Sequence, residues 1–242
     1  MTAVRLPGSV AEVDASPPGP AIGAFFDFDG TIIDGYSALH LSKQRFRSRD
    51  IGFDEILRSI GLAVDAAAGR GAFEGVLKIG AEVWRGREHA ELEAMGQRLY
   101  DETLSTLVYP QAARLVRAHL DRGHSVVLSS SATEFQVEPA AHALGITEVL
   151  CNRYETEDGR LTGTMQQPVI WGSAKADAVQ VHAAAHDIAL EQSYFYADGD
   201  EDVALMYLVG HPRPSNPGKR LARVAKARGW PVLRFDREEG DR

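Results

Sequence analysis

Cysteine is almost missing from this chain: Cys151 is alone among 242 residues. One thiol closes no internal disulfide and builds no cysteine-rich zinc site, so a reducing cytoplasm is the expected setting. No apolar run reaches the ~18 residues that cross a bilayer, and the first residues lack the basic-then-apolar order of a signal peptide, so no integral membrane segment is expected. Positive charge is also in short supply. With 26 Lys and Arg against 34 Asp and Glu, the formal net charge is -8 and the pI is near 5.5. That balance argues against nucleic acid as a partner, which calls for a basic stripe. There is no internal repeat and no low-complexity block.

What remains is an ordinary globular composition, 44% hydrophobic and 25% charged, enough to bury a large core in one compact domain or one domain with an insertion. Residues 1–20, with Pro7-Gly8 and Pro17-Pro18-Gly19-Pro20, read as a flexible leader that packs little. The fold is expected to start near Ala21. Residues 36–107 contain no convincing strand but several helical stretches, at Asp54–Val64, Phe73–Arg85 and Ala90–Leu104, and read as an inserted helical cap. From Pro110 the pattern alternates: helix Gln111–Arg122, strand Ser125–Leu128, helix Thr133–Leu144. Further strands are expected at Glu148–Asn152, Ser193–Ala197 and Pro231–Phe235, with a hairpin turning at Asp158-Gly159. Such alternation implies right-handed crossovers and a parallel sheet. The expected class is α/β, a Rossmann-like doubly wound parallel sheet formed by 21–35 and 108–242, interrupted by the cap.

The motifs sit where such a sheet puts its chemistry, beyond the carboxyl ends of the strands. Phe25-Phe26-Asp27-Phe28-Asp29-Gly30-Thr31 is an apolar strand ending in two carboxylates one residue apart. Residues two apart in a strand share a side, so Asp27 and Asp29 start out facing the same way. Paired carboxylates raise one another's pKa unless a cation lies between them, and a hard divalent ion is the natural compensation. Tyr194-Phe195-Tyr196-Ala197-Asp198-Gly199-Asp200-Glu201-Asp202 repeats the theme, an aromatic strand running into an acidic loop. Oxygen donors without histidine or cysteine suit Mg²⁺. Ser129-Ser130-Ser131, between a strand and a helix, offers hydroxyls and helix-start amides to a phosphate, although Ser131 or Thr133 also suits a helix cap. Lys175, early in the helix that follows Trp171-Gly172, opposes the helix dipole and so suggests an anionic partner.

These four segments, in this order, resemble the haloacid dehalogenase superfamily, and within it the phosphoserine phosphatase-like branch with a helical cap after the first motif. The resemblance covers roughly residues 21–236. It implies that Asp27 is the nucleophile that forms an aspartyl-phosphate, and that Asp29 is first the general acid and then the base. It implies that Ser129, Ser130 and Lys175 hold the phosphoryl group. Asp27, the Asp29 backbone carbonyl and Asp198 would bind Mg²⁺, with Asp202 supporting that site. The implied activity is Mg²⁺-dependent hydrolysis of a phosphomonoester, small or of lysophospholipid type. The rivals are a phosphotransferase or mutase, and a weakly catalytic domain that binds an acyltransferase or a phospholipid surface. An acid a few residues after the first motif normally reads phosphoserine's amino group; here Tyr36 stands near that place, with Asp34 as a candidate substitute. A resemblance to actinobacterial proteins that join such a domain to a lysophosphatidate acyltransferase rests on Arg5–Ser9, Tyr194–Tyr196 and Gly229–Leu233.

Two further patterns read as solvated helix faces. His182 and His186 are four apart, but no glutamate between them makes a zinc motif, and the His182/Asp187 spacing is a chance match to an acyltransferase motif. The run Lys43-Gln44-Arg45-Phe46-Arg47-Ser48-Arg49 is the other.

Overall fold

The computed structural model describes residues 8–48 and 70–237. The helix expected at 54–64, the end of the basic run at Arg49, and Arg5, Leu6 and Pro7 lie outside the described residues. The elements in order are α1 (Val10–Asp14), β1 (Gly23–Phe26), α2 (Ser37–Arg47), α3 (Arg70–Trp84), α4 (His89–Glu102), α5 (Pro110–Asp121), β2 (Ser125–Thr133), α6 (Glu134–Ala143) and β3 (Glu148–Asn152). They continue as β4 (Tyr154–Glu157), β5 (Arg160–Met165), α7 (Ser173–Ala185), β6 (Tyr194–Ala197), α8 (Val203–Met206), β7 (His211–Pro214) and α9 (Lys219–Arg228).

Five strands form a sheet in the order β3-β2-β1-β6-β7, every pair parallel. Strand periodicity sends alternate residues to opposite faces, and the core divides accordingly. Ala24, Phe26, Val126, Leu128, Tyr194 and Tyr196 join one cluster, with α1, α5 and α6. Phe25, Val127, Phe195 and Ala197 join the other, with α7, α8 and α9. Because both faces are covered, the central strands β1 and β6 are continuous buried runs rather than alternating ones.

The described insert is helical. Its ends are stitched side by side: Asp34 donates its N–H to the Leu107 carbonyl and Tyr109 to that of Ile32, each at 2.9 Å. The hairpin β4–β5 lies outside the insert in sequence but completes its core, since Ala81, Trp84, Leu92 and Met95 pack with Phe135, Tyr154, Leu161 and Met165. Arg45 departs from the expected solvated face. It is 8% exposed, with its guanidinium 4.1 Å from the Trp84 ring centroid, a cation–π contact that draws it inward.

Two expectations fail. The final strand is not 231–235 but His211–Pro214, and Leu233 makes only an isolated bridge to Ser215. Prolines at 212 and 214 disguise β7, yet at a sheet edge their missing N–H groups cost no ladder partner. The described part of the supposed leader, from Gly8 on, also packs. Val13 is fully buried, Ser9 caps α1 by accepting from the Glu12 N–H at 3.3 Å, and Glu12 pairs with Arg213 of β7. A one-turn helix with a single core side chain leaves almost no periodic trace among Pro and Gly.

The same segment is anchored by a buried histidine relay. His124 Nε2 lies 2.9 Å from the Pro17 carbonyl, the two Nδ1 atoms of His119 and His124 are 2.8 Å apart, and His119 Nε2 is 2.9 Å from the Tyr196 hydroxyl. One proton arrangement satisfies every contact with both rings neutral: Tyr196 donates to His119, His119 to His124, and His124 to Pro17. Burial, then the His124 ring and Arg213, hold His119 down at about 3, so it stays uncharged.

Candidate active site

Three adjacent strand ends supply the site, with β1 between β2 and β6. Asp27 extends β1 by donating its N–H to the Tyr196 carbonyl at 2.9 Å. The chain then turns tightly, with the N–H groups of Thr31, Ile32 and Ile33 all directed at the Phe28 carbonyl. Gly30 holds φ +73°, and a Cβ there would stand 2.3 Å from Asp198 Oδ2. Glycine thus serves two ends, the left-handed turn and the approach of the first acidic loop to the second.

Asp27, Asp29, Lys175, Asp198 and Glu201 line one cavity of about 470 Å³, walled also by Ser130, Ser131 and Gln136. A larger cavity of about 630 Å³ between α2 and α4 holds His40, Lys43 and Arg98 but none of the strand-end groups. Lys175, 1% exposed, reaches from the first turn of α7 to Asp27 Oδ1 at 2.9 Å and Asp202 Oδ1 at 2.7 Å. Burial alone would lower its pKa, but Asp202 and Asp27 outweigh burial and raise it, so the amine is a fixed cation. Its conflict with the helix dipole is settled by these two anions.

Asp29 is held differently. Its Oδ1 accepts the Ser37 N–H at 2.7 Å and its Oδ2 the Ser37 hydroxyl at 3.1 Å. Ser37 is the first residue of α2, so the helix start faces this carboxylate. Gln136 Nε2 donates to the Ser37 hydroxyl at 2.9 Å, while Gln136 Oε1 accepts from the N–H and hydroxyl of Thr133. The capping box of α6 thereby steadies Asp29 through Ser37. Burial pushes the Asp29 carboxyl up to about 6, opposed by the Ser37 hydrogen bonds and aided by Asp27.

Asp198 is pushed up to about 8, first by burial and then by Asp27, Asp202 and Glu201. Asp202, fully buried, is raised by burial despite Lys175. Four carboxylates, those of Asp27, Asp29, Asp198 and Asp202, therefore crowd together, and Lys175 pairs with two of them, Asp27 and Asp202. An all-oxygen donor set with surplus negative charge fits a hard divalent cation, and Asp27 and Asp198 lie on the same cavity to receive it.

At the end of β2 the three serines take different places. Ser129 is fully buried, behind the cavity wall, and its Oγ has no partner; Ser131 lines the cavity with an Oγ that also has none. Ser130 lines it too, but its Oγ already accepts from the Ala132 N–H at 3.1 Å. The β2 ladder runs to Thr133 across a register shift between Ser129 and Thr133, beyond the expected end at Leu128, because the serine loop bulges and then re-pairs with Asn152. Thr133 is the cap of α6.

Sequence reasoning missed Ser37, Gln136, Leu77 and Trp171. The first two position Asp29, and the other two line the cavity. Only Gln136 left a local signal, the Thr133-x-x-Gln136 capping box. Asp34 turns away from substrate recognition: its carboxylate accepts the Tyr109 hydroxyl at 3.0 Å and is absent from the cavity wall, whereas Tyr36 lines it.

A family model for haloacid dehalogenase-like hydrolases matches residues 24–207, the span that holds all these groups. A probable phosphatase of Mycobacterium tuberculosis H37Rv is 31% identical over 98% of this chain and 81% of its own length. A phosphoserine phosphatase of the same strain is 32% identical over 96% of this chain and 78% of its own. The crystal structure of a protein of unknown function from Bordetella pertussis superposes with a TM-score of 0.78 at 27% identity, covering 90% of this chain and 99% of that one.

Proposed function

Because the chain belongs to the haloacid dehalogenase-like hydrolases and is a phosphomonoester hydrolase of phosphoserine phosphatase-like type, we propose that Asp27 takes the phosphoryl group and Asp29 moves the protons. The observation that carries this reading is that both carboxylates, Lys175 and Asp198 line one cavity.

Asp27 is oriented by Lys175 on Oδ1, which leaves Oδ2 to attack phosphorus. The ester oxygen leaves with a proton from Asp29, whose pKa near 6 lets it carry that proton and later accept one from water. Water attacks the aspartyl-phosphate, and inorganic phosphate departs with Asp27 restored. Mg²⁺ bound by Asp27, the Asp29 carbonyl and Asp198 would neutralise charge on the transferring group. Lys175, which keeps its charge throughout, and the unpartnered hydroxyl of Ser131 on the cavity wall are assigned to the phosphoryl oxygens, while Ser129, also expected there from the sequence, stays outside the lining. The Ser130 hydroxyl hydrogen stays available to the same group. Asp202 holds Lys175 in place.

Residues 36–107 act in this reading as the cap that shields the site from water. Tyr36, Leu77 and Trp171 give the cavity an apolar rim, which supports a small or lysophospholipid-type ester with an apolar portion. No described helix is long and apolar enough to cross a membrane, so such a lipid would be met as a monomer or at a surface. The test is Mg²⁺-dependent phosphate release from a panel of phosphoserine, glycerol phosphate and lysophosphatidate. Turnover of lysophosphatidate above the other two is expected. Preferred turnover of phosphoserine would overturn the substrate class, and no release from any ester would overturn the activity.

A further inference from the structure

A second cluster of ligand-type side chains lies at the far end of the helix that carries Lys175. Eleven residues separate Lys175 from His186, roughly 16 Å along a helix axis. There His182, in the last turn of α7, and His186, the residue that caps its C-terminal end, meet Glu148, the first residue of β3. One donor atom from each of the three lies within 4.8 Å of the others. The two imidazoles face each other with centroids 4.1 Å apart and planes inclined at 28°.

A further observation separates this cluster from an ordinary solvated face. His186 Nδ1 lies 2.9 Å from the His182 carbonyl, which accepts the Nδ1 proton. That bond fixes the tautomer in which Nε2 carries the lone pair, and it is the backbone arrangement that commonly orients a metal-bound imidazole. The C-terminal end of a helix also favours positive charge. The missing third ligand is the reason a helix reading of His182 and His186 gives only a solvated face: Glu148 is 34 positions away in sequence and arrives through the β3 strand start.

We propose that Glu148, His182 and His186 form a binding site for a borderline transition-metal ion such as Zn²⁺ or Co²⁺, separate from the carboxylate cavity. Two imidazoles and one carboxylate suit such an ion and leave positions for water, whereas Mg²⁺ prefers the all-oxygen set at the other end of α7. Metal–ligand bonds of about 2.0–2.2 Å require the three donors to draw together, which rotation of these side chains allows. The bound ion would pin the last turn of α7 to the start of β3.

The test is titration of the full chain with Zn²⁺, and with Co²⁺ followed by visible absorption, in saturating Mg²⁺. One ion per chain is expected, weakened about tenfold or more in Glu148→Gln and about a hundredfold in His182→Ala/His186→Ala. The thermal midpoint should rise with Zn²⁺ in the parent chain and not in the double variant, while Mg²⁺-dependent phosphatase activity is the same in both. No binding would overturn the proposal. So would binding that persists in the double variant but vanishes in Asp198→Asn, because the ion would then sit among the catalytic carboxylates.

Discussion

Two buried polar clusters share strand β6 and meet opposite fates. Around Tyr196 the groups close on themselves: hydroxyl, two neutral imidazoles and a carbonyl form a relay in which each donor has an acceptor. One residue beyond the strand end, Asp198 joins three other carboxylates of which two pair with one lysine, with serine hydroxyls left unpartnered close by. A satisfied network has no remaining work for a ligand, and this one ties the N-terminal segment to the sheet. An unsatisfied network with surplus charge asks for a cation and an anion from outside. The contrast identifies the functional cluster better than burial does, since both are buried.

The comparison breaks most sharply at Asp27. Asp27→Asn should lower Mg²⁺-dependent phosphate release by on the order of 10³-fold or more, with an unchanged or higher thermal midpoint, since one of four crowded carboxylates is neutralised. A lower midpoint with retained turnover would make Asp27 structural. Lys175→Met should abolish turnover and also cost about 3–5 kcal/mol in urea denaturation, because it leaves buried Asp27 and Asp202 without their counter-ion. On the other side, His119→Leu should cost about 2–4 kcal/mol, since Tyr196 and His124 each lose a partner, yet leave turnover per folded molecule unaltered at 20 °C or below. Loss of turnover in the folded variant would join the two clusters into one.

The same contrast sets pH slopes of opposite sign, each small per pH unit. His119 stays neutral in the folded protein down to about 3, while the unfolded chain takes up its proton near 6.5. The unfolded state therefore binds more protons between those values, and stability falls as pH drops below 6.5, by up to about 1.4 kcal/mol per unit. Asp198 behaves inversely in metal-free protein. Its folded pKa is raised to about 8 from 3.8, so the folded state holds a proton that the unfolded state releases, and stability falls as pH rises across that window. In EDTA the two slopes oppose each other between 3.8 and 6.5, so urea midpoints should fall with pH only from 6.5 to 8, where Asp198 acts without His119. Mg²⁺ should remove the second and leave the first, and a Mg²⁺-insensitive profile would show that the carboxylates bind no ion there.

Legibility in the sequence followed locality. β1, the first half of β2 and β6 are apolar runs of Phe, Val, Leu and Tyr, buried except for Ser125, and the hairpin turns where Asp158 and Gly159 take φ of +48° and +75°. Asp27, Asp29 and Asp198 were visible because the chemistry demands acids directly after apolar strands. What stayed hidden depended on distant partners. β7 is a strand only because Tyr194–Ala197 offers an edge to a Pro-containing segment. Ser37 matters through Asp29, and Gln136 through Ser37. Glu148 becomes a neighbour of His182 only once β3 and α7 have docked. The helix start at Val10 was masked by the prolines that follow it, and its reason for packing, Arg213, lies two hundred residues away.

The central claim is that the crowded carboxylate cluster exists to take a phosphoryl group on Asp27. Rapid acid quench during steady-state turnover of a phosphate ester with Mg²⁺, followed by mass analysis of the peptide containing residues 25–31, tests it directly. A phosphorylated, alkali-labile Asp27 is expected in the parent chain and none in Asp27→Asn. Full turnover with label on another residue, or with no label at any quench time, would contradict it.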